Sequence, residues 1–267
     1  MQKITVDELQ EGMVCGKTIY DDRGTLLISR GAKITKSYIQ GLKKYNIGLI
    51  PIESGQLSEA KLDSLVKPTR QFTACKALIS DIDQYRTVKV CRYLDKVEEV
   101  LYQAIEKHYV KEYLNSMMQN DILYKHSVRT AILAVCMGIQ NEYSNSDLEY
   151  LTIAALMHDV GMGRKFSEEN SEHAFVGFNK LRQNNDIDMI VALVCLQHHE
   201  RHDSKGYPIG FGKNEIIEFA RIIAVADYYD RLILKKCTPY QAVFKVIAGK
   251  GNMFDPASIS LFEATLR

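Results

Sequence analysis

The chain has 267 residues, of which 46% are hydrophobic and 25% charged, with 34 lysines and arginines against 33 aspartates and glutamates. That balance excludes an intrinsically disordered chain, and a net charge of +1 leaves no basic field for duplex nucleic acid. No apolar run reaches the ~18 residues of a membrane-spanning helix, and the acids in MQKITVDELQEGM argue against a signal peptide.

The expected compartment is therefore the cytoplasm, and the length fits about two domains. Six cysteines, at positions 15, 75, 91, 136, 195 and 237, form no C-x-x-C pair and read as reduced thiols.

Residues 1–67 read as a small α+β module followed by a linker. A strand is expected over Val14–Tyr20, a turn at Asp21–Gly24 and an extended run over Thr25–Ile28. Thr35 caps a helix running to about Tyr45, and a strand over Ile47–Ile52 stops near Pro51. No catalytic constellation falls in this module. Residues 54–67 are polar and end at Pro68, as linkers do.

Residues 68–267 read as all-helical. Val97, Leu101, Ala104, Ile105, Leu114 and Met117 recur at near-helical spacing over 93–119. Further helices are expected over 125–139, from a Ser146 cap with Glu149 to His158, from a Ser171 cap to near Asn184, from Asp186 to His199, and over 215–234. The run Gly249-Lys250-Gly251 lacks the spacing of a phosphate-binding loop.

The seven histidines, at 108, 126, 158, 173, 198, 199 and 202, carry the chemistry. His126 opens one helix and His158 closes the next. A short turn makes those helices antiparallel neighbours, so both residues return to one end of the hairpin. His173 opens a helix and His198-His199 close the following one, which repeats the pattern. Asp159 adjoins His158, and Asp227 lies in the apolar run ARIIAVADYYD, where an unpaired carboxylate is costly. Each piece alone has a bland reading: HD pairs arise by chance, and HH at a helix end is favoured by the helix dipole. Together, five imidazoles and two carboxylates suit iron or manganese and exceed the needs of one tetrahedral ion.

The motifs HD at 158–159, HHERHDSKGYP at 198–208, ARIIAVADYYD at 220–230, KHSVRTAILA at 125–134, HAFVG at 173–177 and FDP at 254–256 resemble the HD-GYP domain. This is a branch of the HD superfamily of metal phosphohydrolases. The resemblance covers about residues 95–267. Residues 1–53 resemble, less closely, a small module found before such domains.

The resemblance implies an all-helical HD-type bundle that hydrolyses cyclic di-GMP to linear pGpG, GMP or both, with water activated by two or three iron or manganese ions. It implies His126, His158, Asp159, His173, His198, His199 and Asp227 as metal ligands, with Asp159 as the bridge and His158 and Asp159 at the catalytic centre. Arg201, Gly206, Tyr207 and Pro208, with Arg164, Lys165, Lys235 and Lys236, are the implied substrate contacts. Ile122 stands where members with a third ion carry glutamate, so two ions are expected.

Three departures touch the substrate side. Met162 replaces a usual lysine, the stretch from Asp159 to His173 is short, and RLILKKCTPYQA is a shortened form of the segment after Asp227. A catalytically weak cyclic-dinucleotide-binding module and a phosphohydrolase for another nucleotide therefore stand as alternatives. His108 and His202 receive no ligand role, and Tyr228 and Tyr229 read as helix packing. The residues leave a homodimer or a signalling protein partner open.

Overall fold

Antiparallel strand pairs build the first part of the chain. β1 (Gln2–Thr5) pairs with β4 (Leu49–Ile52), and β2 (Ile19–Tyr20) pairs with β3 (Leu26–Ile28). The structure is a computed structural model that describes residues 2–16, 19–20, 26–28, 32–36, 39, 42–43, 49–52, 93–117, 120–162 and 171–266. The chain divides into two units, Met1–Thr69 and Arg70–Arg267.

In the first unit Cys15, Ile28, Ile34, Leu42 and Ile50 form a small core. Of the strand expected over 14–20, the described residues show Val14 and Cys15 in isolated bridges to Lys33 and Ile52 and a strand at Ile19–Tyr20. Pro51 lies inside β4 opposite Lys3 rather than ending it. Proline is tolerated in a strand wherever the ladder does not use that N–H. β1 itself has no counterpart in the sequence reading. The turn at 21–24 and the linker over 54–67 lie outside the described residues.

The second unit is helical: α1 (Leu94–Ile105), α2 (His108–Met117), α3 (Asp121–Gln140), α4 (Asn145–Met157), α5 (His173–Leu181), α6 (Met189–Gln197), α7 (Glu218–Leu234), α8 (Pro239–Ala248) and α9 (Pro256–Thr265). The apolar stripe over 93–119 is two helices, interrupted at Glu106–Lys107. Local caps correct the other boundaries. Ser144, not Ser146, caps α4 by accepting the Asp147 N–H at 3.2 Å. Asp188, not Asp186, caps α6 by accepting the Ile190 N–H at 2.9 Å. α5 starts at His173 with Glu172, not Ser171, at its cap.

Two helices follow the last one read from the sequence. Thr238 and Gln241 form a capping box with Pro239 in the first turn of α8, and Asp255 caps α9 ahead of Pro256.

α3 runs through the middle of this unit and packs against α4, α7 and α9, while α4 and α5 pack against α6. Among the described residues it alone is long and apolar enough to cross a membrane, and 78% of its apolar window is buried inside the bundle.

Glycines set two close approaches. A Cβ on Gly161 would lie 2.0 Å from the His173 carbonyl oxygen, so only glycine lets the turn after α4 reach the start of α5. A Cβ on Gly177 would meet Cys195 Sγ at 2.3 Å, where α5 crosses α6. Gly177→Ala is therefore expected to destabilise by about 1–3 kcal/mol through overpacking. Adding Cys195→Ala removes the clashing sulfur, so the double variant should melt above Gly177→Ala alone in thermal unfolding.

Candidate metal centre

Helix ends deliver the polar residues to one place. His126 lies in the second turn of α3, and His158 is the C-cap of α4, followed directly by Asp159. His173 opens α5, His198 is the C-cap of α6 with His199 next, and Asp227 lies within α7. All seven residues implied as ligands meet. They form two groups whose ligand atoms lie within 4.8 Å of one another: His126, His158, Asp159 and Asp227; and Asp159, His173, His198 and His199.

Asp159 belongs to both. Its Oδ1 lies 3.2 Å from His173 Nε2 and 3.5 Å from His198 Nε2. Its Oδ2 lies 3.3 Å from His158 Nε2 and 3.6 Å from His126 Nε2. Asp227 Oδ1 lies 2.9 Å from His126 Nε2 and 3.5 Å from His158 Nε2. His173 Nε2 is 3.2 Å from His198 Nε2 and 3.1 Å from His199 Nε2. An ion with bonds of about 2.1 Å at tetrahedral or octahedral angles holds its ligands about 3.0–3.4 Å apart. The observed spacings, 2.9–3.6 Å, lie in that range or within about 0.2 Å of it on both sides of Asp159.

The ring orientations fit as well. His158 Nδ1 donates to the Ala155 carbonyl at 2.7 Å, and His198 Nδ1 donates to the Cys195 carbonyl at 2.8 Å. A carbonyl only accepts, so the Nδ1 proton is assigned by its partner and Nε2 turns towards the cluster. His126 Nδ1 is 2.7 Å from Asp230 Oδ2, which orients that ring the same way. His158 Nε2 and Asp159 Oδ1 are buried without a hydrogen bond. Buried, unsatisfied donor atoms of this kind suit a cation.

Electrostatics differ between the two sides. Burial opposes ionisation of Asp227, but Arg231, His126 and His158 outweigh it and hold the carboxyl well below its usual range. Asp159 is held low in the same way by His158 and Arg231. In return the two carboxylates overcome the burial of His158 and raise it to about 10. On the other side burial and His198 push His199 well down.

Three residues here had no role in the sequence reading. Asp230 accepts from Arg129 Nε at 2.5 Å and from Nη2 at 3.0 Å while it holds His126. Arg231 Nε donates to Asp227 Oδ1 and Oδ2 at 2.7 and 2.9 Å, and its Nη2 donates to Asp159 Oδ2 at 3.1 Å. Spacing was the available signal: 230 and 231 stand three and four places after Asp227, and 129 three after His126, so each pair shares a helix face.

Beside the cluster lies a cavity of about 170 Å³ lined by His199, Tyr207, Tyr228, Arg231, Leu232 and Lys235. The Tyr207 ring sits 4.6 Å from the His199 ring. A Cβ on Gly206 would lie 2.6 Å from the His199 carbonyl oxygen, so this glycine lets the loop pack on the histidine backbone. The Glu200 carboxylate fixes the loop beyond Pro208 by accepting the N–H groups of Ile209 and Gly210. Arg201, expected at the substrate, donates to both oxygens of Asp203. Lys235 lines the cavity, whereas Lys236 is exposed and does not. Arg164 and Lys165 lie outside the described residues. Tyr228, expected as packing, both lines the cavity and contacts Phe254. Met162 is buried, and His108 and His202 join neither ligand group.

Residues 123–232 match the HD domain family. The cyclic di-GMP phosphodiesterase response regulator RpfG of Xanthomonas campestris is 28% identical over 244 residues, covering 80% of this chain and 64% of that protein. The cyclic di-GMP phosphodiesterase PA4108 of Pseudomonas aeruginosa is 28% identical over 164 residues, covering 54% of this chain and 39% of that one. The chain thus spans less than two thirds of either relative. Bd1817, a HDG"Y"P protein from Bdellovibrio bacteriovorus, shares the fold with a TM-score of 0.52 at 16% identity, covering 99% of both chains.

Asp230 is buried, and Asp230→Ala removes the carboxylate that Arg129 and His126 Nδ1 contact, so it is expected to cost about 3 kcal/mol, as does breaking other buried pairs from one side. Denaturant unfolding of the two proteins measures it.

Proposed function

We propose that this chain hydrolyses cyclic di-GMP to the linear dinucleotide pGpG, GMP or both, using two divalent ions, iron or manganese. The observation that carries the proposal is the shared carboxylate, whose two oxygens face different ligand groups. His126, His158, Asp159 and Asp227 would hold one ion, and Asp159, His173, His198 and His199 the other. The donors are nitrogen and oxygen throughout, which favours these metals over a thiolate zinc site. The Cys195 thiol donates to the His158 carbonyl at 3.0 Å, and burial raises its pKa well above the usual value.

When bound, such ions supply Lewis acidity towards a phosphate and acidify a water molecule. The chain does the rest. Backbone carbonyls and Asp230 hold the imidazoles in the ligating orientation. Arg231 presents positive charge where the cavity meets the cluster, suited to charge that grows on a phosphodiester during attack, while Lys235, in the cavity lining, suits binding of a phosphate already charged in the ground state. Tyr207, stacked on His199, is what the loop at 206–210 contributes to the cavity wall. The relatives' names support a cyclic dinucleotide as substrate. The buried reduced thiols Cys15, Cys136 and Cys195 suit a cytoplasmic setting.

A second reading is a cyclic-dinucleotide-binding module with slow turnover. The contact of Arg231 with both carboxylates favours it, because it competes with ion loading.

Protein purified without oxygen should carry two iron or manganese ions per chain by elemental analysis and convert cyclic di-GMP in a chromatographic assay. Asp159→Ala should lose both metal and turnover, and His108→Ala neither. Full metal loading with no turnover would favour the binding module. Turnover of another nucleotide alone would favour a phosphohydrolase for that nucleotide.

The cavity lining gives a separate expectation. Lys235→Ala should raise KM several-fold with little change in kcat, and Lys236→Ala should change neither, as steady-state kinetics will show.

A further inference from the structure

Most of the cavity beside the cluster is lined from one helix. Tyr228, Arg231, Leu232 and Lys235 are spaced i, i+3, i+4 and i+7 along α7 and its C-cap, so they form one stripe. Two of the four are cations. The other two are an aromatic ring and a buried aliphatic side chain. Tyr228 is half-buried, and the Phe254 ring braces it at 5.4 Å between centroids.

We infer that Tyr228 is a specificity-determining residue, whose ring is the platform on which one nucleobase of the substrate stacks. The inference rests on the proposed hydrolysis of a cyclic dinucleotide and adds to it the place of a base.

Size, position and chemistry carry it. Pockets that enclose a drug-sized ligand measure about 300–1,000 Å³. A cavity of about 170 Å³ takes part of a dinucleotide, not the whole. Arg231 lines the cavity and also donates to Asp159 Oδ2 at 3.1 Å, so one side chain joins the cavity to the cluster. A nucleotide whose phosphate stands at the cluster therefore has its own base beside the cavity. A phosphate alone is served by cations and hydrogen-bond donors, and gains nothing from a leucine or from the face of a braced tyrosine. A base gains from both, because its flat face stacks on an aromatic ring and its apolar area leaves water. Stacking tolerates any base, since each has a π-face. The platform thus selects nucleotides over other phosphate esters rather than guanine over adenine.

The test titrates the full chain, purified without oxygen, with GMP and with ribose 5-phosphate in a calorimeter. The two ligands share a sugar and a phosphate and differ by the base. Wild type should bind GMP more tightly by about 5–150-fold, the range for one base stacked on an aromatic side chain. Tyr228→Leu fills the space beside Phe254 without a flat ring. It should lose most of that advantage and bind ribose 5-phosphate as wild type does, which also shows that the site is intact. Tyr228→Phe keeps the ring and should bind GMP as wild type does. Equal binding of the two ligands by wild type, or an undiminished preference for GMP in Tyr228→Leu, would overturn the inference and leave the hydrolysis standing, since turnover of cyclic di-GMP is measured on the same preparation. Weaker binding of both ligands by Tyr228→Leu in equal proportion would make Tyr228 a structural residue and overturn it as well. A ring-dependent preference for GMP in a chain without turnover would overturn the hydrolysis and leave the platform.

Discussion

The carboxylate of Asp159 is fully buried, His158 and Arg231 hold it well below its usual range, and the helical unit is arranged around it. An isolated carboxylate in such a place is strongly disfavoured and would take up a proton. Here four imidazoles and a guanidinium surround it, and helices end where it lies. α4 and α6 direct their carbonyl ends at the cluster, with His158 and His198 as the C-caps. The partial negative charge of those ends favours cations in the same spot. The preference for positive charge is therefore built at three levels: side chains, caps and helix direction.

Surrounding that carboxylate is a layer of pairs that hold the histidines still. Asp230 takes the Nδ1 side of His126 and is itself held by Arg129, while Ala155 and Cys195 carbonyls fix His158 and His198. Such buried pairs contribute little net stability, because desolvation offsets their attraction. Their consequence is geometric. Each ring keeps one orientation, so the donor atoms do not reorganise when an ion arrives. The stability of the unit comes from the apolar surfaces of α3, α4 and α7 instead, with Gly161 and Gly177 allowing backbones to approach where a side chain would hold them apart.

The plan of the site was legible because it depends on helix order. A histidine opening one helix and another closing its antiparallel neighbour must return to the same end, whatever the exact caps. The caps were less legible. Ser144 and Ser146 are both serines near the start of α4, and only the backbone direction decides which side chain reaches an N–H. The stripe over 93–119 hid a break, since α1 and α2 each bury apolar residues and the interruption at Glu106–Lys107 carries neither glycine nor proline. Arg231 escaped notice for another reason. A charged residue after Asp227 reads as a solvated face until tertiary packing shows that it is buried. The helix at 239–248 had its signal, a Thr-Pro cap with Gln three places on, which the family-based reading of that segment passed over.

The substrate side follows from one stripe of α7. Asp227, Arg231 and Lys235 stand at successive turns, running from the cluster to the cavity. The carboxylate sits against the imidazoles, the guanidinium spans carboxylate and cavity, and the ammonium lies in the cavity lining beyond an exposed helix end. Met162 has no place in that stripe. It is 5% exposed in the turn after Asp159, where a lysine would need a buried partner of its own. Among the described residues the cations beside the cluster therefore stand on α7 and at its C-cap, and Met162 adds none. One helix then supplies both a carboxylate of the cluster and the cations beside it. A shift of α7 against α3 would change ion affinity and phosphate affinity together, because the two sets of charges are carried on the same rigid element.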